Sequence, residues 1–283
     1  MFDIFKNRLE LTGTLTTVTA LRISAGRSSE PIGSDLPVIK DALGRPLIPG
    51  SSFKGAMRSR LESFLRGINP NLAANPALES EWSIPPDVMS DFKEGIKNLP
   101  AVEKEERLHH FILEKTDRAS SLFGSPWMAS KFQVQDLTVL PENWFGQYQE
   151  RDGVAIDRDT ETAANGKLYD FQVVPAGTPF AFRAIVENAE DWELGLLMIG
   201  LHQFENEMIP LGGGRSRGLG VVTLQLEEMI WINPSTPQEV LRYLEHLVND
   251  QLQSYTKTAA EMQDLKREWS LALINELRSA IAS

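Results

Sequence analysis

Four short segments with apolar residues at every second position, split by two stretches of helical period, predict an α+β fold. Their order, β-α-β-β-α-β, is the ferredoxin-like arrangement carrying long insertions. Composition agrees: 42% of the 283 residues are hydrophobic and 24% are charged, which suits a folded chain with a sizeable core.

Leu9, Leu11 and Leu15 alternate with Thr and Glu and read as a half-buried first strand extending toward Ile23. A Gly/Ser/Pro-rich loop, SAGRSSEPIGSD, follows. The stretch LPVIKDALGRPLIPGSSFKGAMRSRLESFL then runs as a short strand, a turn and a helix that stops at Gly67. Within that helix Phe53, Met57, Leu61 and Leu65 fall four apart and make one buried stripe. Residues 68–100, rich in Asn, Pro and acidic side chains, read as an irregular surface insertion, and Ala101 to Lys115 as a short charged helix. Phe132 to Leu140 is the second strand, and Pro141 to Pro179 shows little periodicity. Phe180, Phe182, Ala184 and Val186 form the third strand. Asp191 opens a strongly apolar helix through Trp192, Leu196, Ile199 and Phe204. A Gly-rich loop at 212–220 leads into the final strand, marked by Val222, Leu224 and Leu226.

Beyond it, Thr236-Pro237-Gln238-Glu239 is a helix start, with Thr as cap, Pro first and Glu third. Leu241, Leu244 and Leu247 continue an apolar face, and a second helix runs through Leu265, Trp269, Leu273 and Leu277. This tail reads as a helical pair packed on the sheet or as a partner-binding device. The domain boundaries are 1–229 and 230–283, with the insertion at 67–118.

Several classes are excluded. No apolar run reaches the length of a bilayer span and the N-terminus lacks a signal-peptide core, so a cytoplasmic protein without membrane contact is expected. Zero cysteines removes disulfides and thiolate metal sites. His109, His110 and His202 have no zinc-ligand spacing, and no Gly-x-Ser-x-Gly elbow exists. The net charge of -11 argues at first sight against nucleic acid. Yet residues 22–66 hold eight basic side chains against four acidic. The acidity concentrates in 67–114, nine against four, and in 227–283, nine against five. Local potential, not total charge, governs a binding groove.

Two elements suit an anion. The helix opening Pro-Gly-Ser-Ser presents unpaired N–H groups, the hydroxyls of Ser51 and Ser52, and the positive dipole end, with Lys54 and Arg58 four apart on a neighbouring face. An ordinary amphipathic surface helix is the alternative. The loop GGGRSRGLG sets Arg215 and Arg217 among glycines that let backbone amides approach a phosphate. It is neither a P-loop nor a dinucleotide fingerprint, because a strand follows it; a flexible hairpin loop is the alternative. The two elements are expected to converge at one edge of the sheet. Asp35 ends the flexible loop beside the basic helix, where a carboxylate holds a divalent ion or accepts a proton, unless it is simply a turn residue. For Asp41, in DALGRP, the turn reading is the stronger one.

IGSDLPVIKDALGRPLIPGSSFKGAMRSRLE, SSLFG at 120–124, VAIDRDTETAANGKLYDFQVVPAGTPFAF at 154–182 and PLGGGRSRGLGVV at 210–222 occur in that order. In this ordered set the chain resembles the backbone subunits of type III CRISPR effector complexes, of the repeat-associated mysterious protein (RAMP) superfamily, over about Leu9 to Leu226. The resemblance implies a modified RNA-recognition-motif palm over 1–229, a thumb hairpin within 141–179 and a helical C-terminal extension. It implies that Asp35 cuts target RNA with a divalent metal, Mg2+, as cofactor. It also implies RNA contacts by Arg22, Ser51, Ser52, Lys54, Arg58, Arg158, Gly213, Gly214, Arg215 and Arg217. The partners it implies are the crRNA guide, complementary target RNA, a large polymerase-like subunit, neighbouring backbone subunits and a small helical subunit. The thumb is expected to be mobile, with Val154, Ile156 and Phe171 as apolar tips that wedge against bases.

Two departures stand out. Arg22-Ile23-Ser24-Ala25-Gly26 replaces the family's His followed by Gly-Gly, and the tail from Ile230 has no counterpart. The leading reading is a guide-binding subunit that cleaves target RNA. The alternatives are a non-catalytic scaffold, a guide-processing endonuclease and an unrelated anion-binding enzyme.

Overall fold

The computed structural model describes residues 3–24, 26, 36–156 and 163–282. Strand β1 (Arg8–Thr17) and the short β2 (Leu47–Ile48) precede helix α1 (Gly50–Ile68). Helices α2 (Pro86–Gly95), α3 (Ala101–Lys115) and α4 (Arg118–Phe123) follow, then β3 (Phe132–Val134) and β4 (Leu137–Thr138). Strands β5 (Gln149–Ile156), β6 (Ala163–Val173) and β7 (Pro179–Glu187) lead to α5 (Asp191–Glu205) and β8 (Val222–Ile232). Helices α6 (Pro237–Val248) and α7 (Ala259–Ala282) complete the described chain.

The main sheet has the order β3-β7-β1-β8, with every neighbouring pair antiparallel. Leu11 lies opposite Ala184 on one side and Met229 on the other, so one face of three strands is apolar and buried. Helices α1 and α5 cover that face. The predicted stripe of Phe53, Met57, Leu61 and Leu65 is fully buried, and the Phe53 ring lies 4.3 Å from Phe204 and 5.2 Å from Phe182. Helix α5 is apolar on nearly all sides because α7 covers its back. A Cβ on Gly195 would fall 2.0 Å from the Trp269 carbonyl oxygen, so α5 and α7 meet backbone to backbone. Trp269 and Leu273 of α7 belong to the main core.

Several sequence expectations are corrected. Strand β1 ends at Thr17, not near Ile23, because Thr17 turns its N–H and hydroxyl to the Thr178 and Pro175 carbonyls. Helix α1 passes Gly67 and ends at Ile68, where extended Asn69 and then Pro70 break it. The 68–100 insertion is partly helical: the Pro85-Pro86 start makes α2. Phe132 to Leu140 is not one strand, since Asp136 leaves the ladder to accept the Gly50 N–H at 2.8 Å, and β4 then pairs with β2. The final strand runs on to Ile232, across the expected boundary at 229/230. In α6 it is Tyr243 that is buried, stacked on Phe5 at 5.4 Å, whereas Leu241, Leu244 and Leu247 face solvent.

Candidate nucleic-acid interface

One basic cluster forms beside β8, where the Gly-rich loop meets the segment after β1 and the end of β6. Gly213 N–H donates to the Arg22 carbonyl at 2.8 Å, and Gly220 N–H to that of Ala20 at 2.9 Å. Gly212 has φ +72°, and a Cβ there would lie 2.1 Å from the same Arg22 oxygen, so only glycine allows this docking. A single tight turn over Arg215–Arg217, flanked by left-handed Gly214 and Gly218, leaves both arginines and Gly213 exposed.

Under the loop sits a small apolar cluster of Ala20, Phe171, Val173 and Leu219. Arg22 lies over the Phe171 ring, 4.6 Å from its centre, and its buried Nε finds no hydrogen-bond partner among the described residues. Arg217 donates to the Tyr169 hydroxyl at 3.2 Å. That hydrogen bond and the Arg217 charge, with a smaller effect of Arg22, hold the Tyr169 phenol below its ordinary value. Leu36 pairs in parallel with Phe171, and Gln172 N–H donates to the Leu36 carbonyl at 3.1 Å. The described chain therefore resumes beside this cluster, one residue after Asp35. Phe171 is buried at the hairpin's base, which overturns its expected role as an exposed wedge.

A second basic group lies beyond the opposite edge strand. Lys54 Nζ donates to Ser130 Oγ at 2.6 Å and to the Phe132 carbonyl of β3 at 3.0 Å. Burial, together with the charge of Arg58, lowers its pKa from 10.5 to about 8. Arg58 donates to the buried Glu62 at 2.7 Å, the Gly124 carbonyl at 3.0 Å and Ser120 Oγ at 3.3 Å. Ser51 is exposed and Ser52 half-buried at the start of α1. The first amide of that helix already has an anion, the Asp136 carboxylate. Because β3 and β8 are opposite edges, the two basic elements do not converge at one edge as expected.

Between them, the open face of the sheet is polar and carries more carboxylates than cations, Glu10 being paired with Arg8 at 2.7 Å and Arg183 at 3.4 Å. Glu10, Thr12 and Thr14 of β1 lie beside Arg183 of β7 and Glu227 and Glu228 of β8.

Asp35 and Arg158 lie outside the described residues. Among the described ones, no three His, Asp or Glu side chains gather to hold a metal ion. Asp170, next in sequence to Phe171, is a described carboxylate near the Leu36 pairing. Tyr169 was missed in the sequence. Its signal was an aromatic two residues from Phe171 in LYDF, meaningful only once the Gly-rich loop is seen to fold over it. No helix among the described residues is long and apolar enough to cross a membrane.

Comparison with known proteins fits this geometry. A protein named CRISPR system Cms endoribonuclease Csm3 from Enterococcus italicus is 26% identical over 225 residues, which are 79% of this chain and 92% of that relative. The protein of the same name from Streptococcus thermophilus is 25% identical over 220 residues, 77% of this chain and 87% of its own. A shorter stretch of 56 residues, 19% of this chain and 24% of the relative, is 50% identical to the Mycobacterium tuberculosis protein of that name. The model of the RAMP superfamily matches residues 14–223, which spans β1 to the start of β8 and both basic elements, and the chain belongs to that superfamily.

Proposed function

We propose that this chain is a crRNA-binding backbone subunit of a type III CRISPR complex, and that Asp35 cleaves the complementary target RNA. The observation that carries the reading is the Leu36–Phe171 pairing, which anchors the residue after Asp35 beside Arg22, Tyr169 and Arg217. The names of the relatives and their near full-length coverage support it. The order β3-β7-β1-β8 supports a ferredoxin-like, RNA-recognition-motif palm, and the β5–β6 hairpin supports a thumb. The acidic open sheet face argues that RNA lies along the basic edges and not on the sheet.

In this reading Ser51, Ser52, Lys54, Arg58, Arg22, Arg158, Gly213, Gly214, Arg215 and Arg217 hold the RNA backbone. They read no bases, and pairing with the guide supplies sequence specificity. RNA brings its own nucleophile. The 2′-oxygen attacks the adjacent phosphorus, its proton passes to the Asp35 carboxylate, and the bond to the 5′-oxygen breaks as that oxygen takes a proton from water, leaving a 2′,3′-cyclic phosphate and a 5′-hydroxyl. The Arg22 guanidinium over Phe171 and the Arg217 guanidinium beside Tyr169 offer hydrogen bonds to the charge that gathers on the phosphate oxygens. Asp35 would also help to hold a divalent ion, Mg2+ in this reading, which would supply further neutralisation of the same charge. The other partners are neighbouring backbone subunits and the large and small subunits of the complex.

The test is Asp35→Ala in the assembled complex, scored on a complementary RNA and on the same strand as DNA. The altered complex is expected to bind guide and target as before and to cut neither. The unaltered complex is expected to cut RNA at regular positions and to spare DNA, which lacks the 2′-hydroxyl. Cutting that persists in Asp35→Ala moves the site elsewhere, and an unaltered complex that never cuts at this subunit makes it a scaffold.

A further inference from the structure

A cavity of about 380 Å³ opens between α1, the insertion and the loop from α4 to β3. Its walls include Arg58, Trp82, Ile84, Trp127 and Ser130. Its size is at the lower end of the range for small-molecule pockets, about 300–1,000 Å³, enough for one small ligand group. None of the mechanism above uses it.

The walls are fixed by the fold. Trp127 Nε1 donates to the Ile84 carbonyl at 2.8 Å, which ties the α4–β3 loop to the insertion. Trp82 Nε1 donates to the Pro76 carbonyl at 3.3 Å. With both indole N–H groups occupied, the rings offer the cavity their apolar surfaces. A surface of that kind is indifferent to base identity, since every base has a π-face. Lys93 Nζ lies 5.2 Å from the centre of the Trp127 ring and adds positive charge to this wall.

One rim is continuous with the phosphate site proposed above. Ser130 Oγ, a wall atom, is the acceptor for Lys54 Nζ at 2.6 Å, and Arg58 reaches the Gly124 carbonyl in the same wall at 3.0 Å. A phosphate between Lys54 and Arg58 therefore borders the cavity wall formed by Gly124 and Ser130. We infer that the cavity receives an unpaired nucleobase of the RNA strand whose phosphate rests on Lys54 and Arg58, an inference that depends on those two residues holding RNA. It makes the insertion part of the RNA-binding surface despite that segment's acidic balance. Glu62, the nearest carboxylate on α1, is neutralised by Arg58 at 2.7 Å and Arg66 at 3.4 Å. Asp117 is occupied as the cap of α4, accepting from Ser120 N–H at 2.9 Å.

The experiment compares binding of the full-length protein to a single-stranded oligoadenylate and to a ribose-phosphate strand of equal length without bases. The unaltered protein is expected to prefer the base-bearing strand by about tenfold, the lower part of what stacking one base on an aromatic contributes. Trp82→Ala should reduce that preference to about twofold by weakening the base-bearing strand alone. Ala129→Phe fills the cavity from an exposed position without deleting a wall contact, and should do the same if the Trp82 variant folds poorly. A preference unchanged in both variants overturns the inference. The dependence on Lys54 and Arg58 is read separately. Lys54→Ala should weaken both strands alike, and if it weakens neither, the phosphate reading fails and not the cavity alone.

Discussion

Lys54 gives the proposed interface a pH dependence that can be worked out in advance. Its ammonium is half-buried beside Arg58, and its pKa falls from 10.5 to about 8. The negative charge of an RNA phosphate at that position offsets the penalty and returns the group toward its ordinary value. Binding is then linked to proton uptake at alkaline pH. In the free protein Lys54 is about nine-tenths charged at pH 7 and about one-tenth charged at pH 9. In the bound state it stays charged throughout. RNA affinity is expected to fall up to about tenfold, or roughly 1.4 kcal/mol, across that interval. Solvent reaching the half-buried group screens both causes of the shift, so tenfold is the ceiling.

The assay is equilibrium binding of a single-stranded RNA at fixed salt between pH 7 and 9. Lys54→Arg is the control, since a guanidinium stays charged over the whole range. The phenol of Tyr169, itself held low by Arg217, is common to both proteins, so their difference reads Lys54 alone. Stability moves the other way. The unfolded chain keeps Lys54 at 10.5, so between about pH 8 and 10.5 it binds more protons than the native state, and native stability rises with pH there. The cost of the charged group is fully present below pH 8. A flat profile in the unaltered protein, or an equal decline in Lys54→Arg, would refute the reasoning.

Two further outcomes are expected. Gly195→Ala puts a Cβ 2.0 Å from the Trp269 carbonyl, so α7 should undock, with red-shifted tryptophan emission and early proteolysis after Ile232; unchanged emission would show that the two helices slide apart cheaply. Asp136→Ala removes the acceptor of the Gly50 N–H at 2.8 Å and should cost about 1 kcal/mol in urea unfolding. The same change frees the start of α1 and should tighten RNA binding, and weaker binding would place the strand away from that helix end.

What was legible followed from local chemistry. Ala101–Lys115 is bounded by Pro100 and by charges suited to each helix end, and the structure has those limits. The six residues of α4 are too few to show a period. The β5–β6 hairpin went unseen in composition because most of its residues are polar, and only the family resemblance pointed to it. In α6 the Leu241, Leu244 and Leu247 stripe suggested a buried face. A stripe cannot say whether a partner surface exists, and the nearby aromatics Phe5, Tyr243 and Tyr255 dock the other side. Asp136 was invisible as a cap because its acceptor role joins residues far apart in sequence.

In the proposed reading, the placement of charge also explains how a chain of net charge -11 binds RNA. The two basic elements sit at opposite edges, and the direct route between them crosses Glu227 and Glu228 on the open sheet face. A second route runs along backbone. Ile39 N–H donates to the Ile23 carbonyl at 2.9 Å, and Leu47 N–H to that of Ile39 at 3.2 Å, linking the residue after Arg22 to the strand that enters α1. Lys40 stands exposed on this ladder, 4.5 Å over the Tyr148 ring, and the ladder's own carboxylate, Asp41, is neutralised by Arg45 at 2.8 Å. In the proposed reading a phosphate backbone takes the second route, from Arg217 and Arg22 past Lys40 to Lys54. The acidic face then keeps it off the direct one, so the overall negative charge helps to define the path.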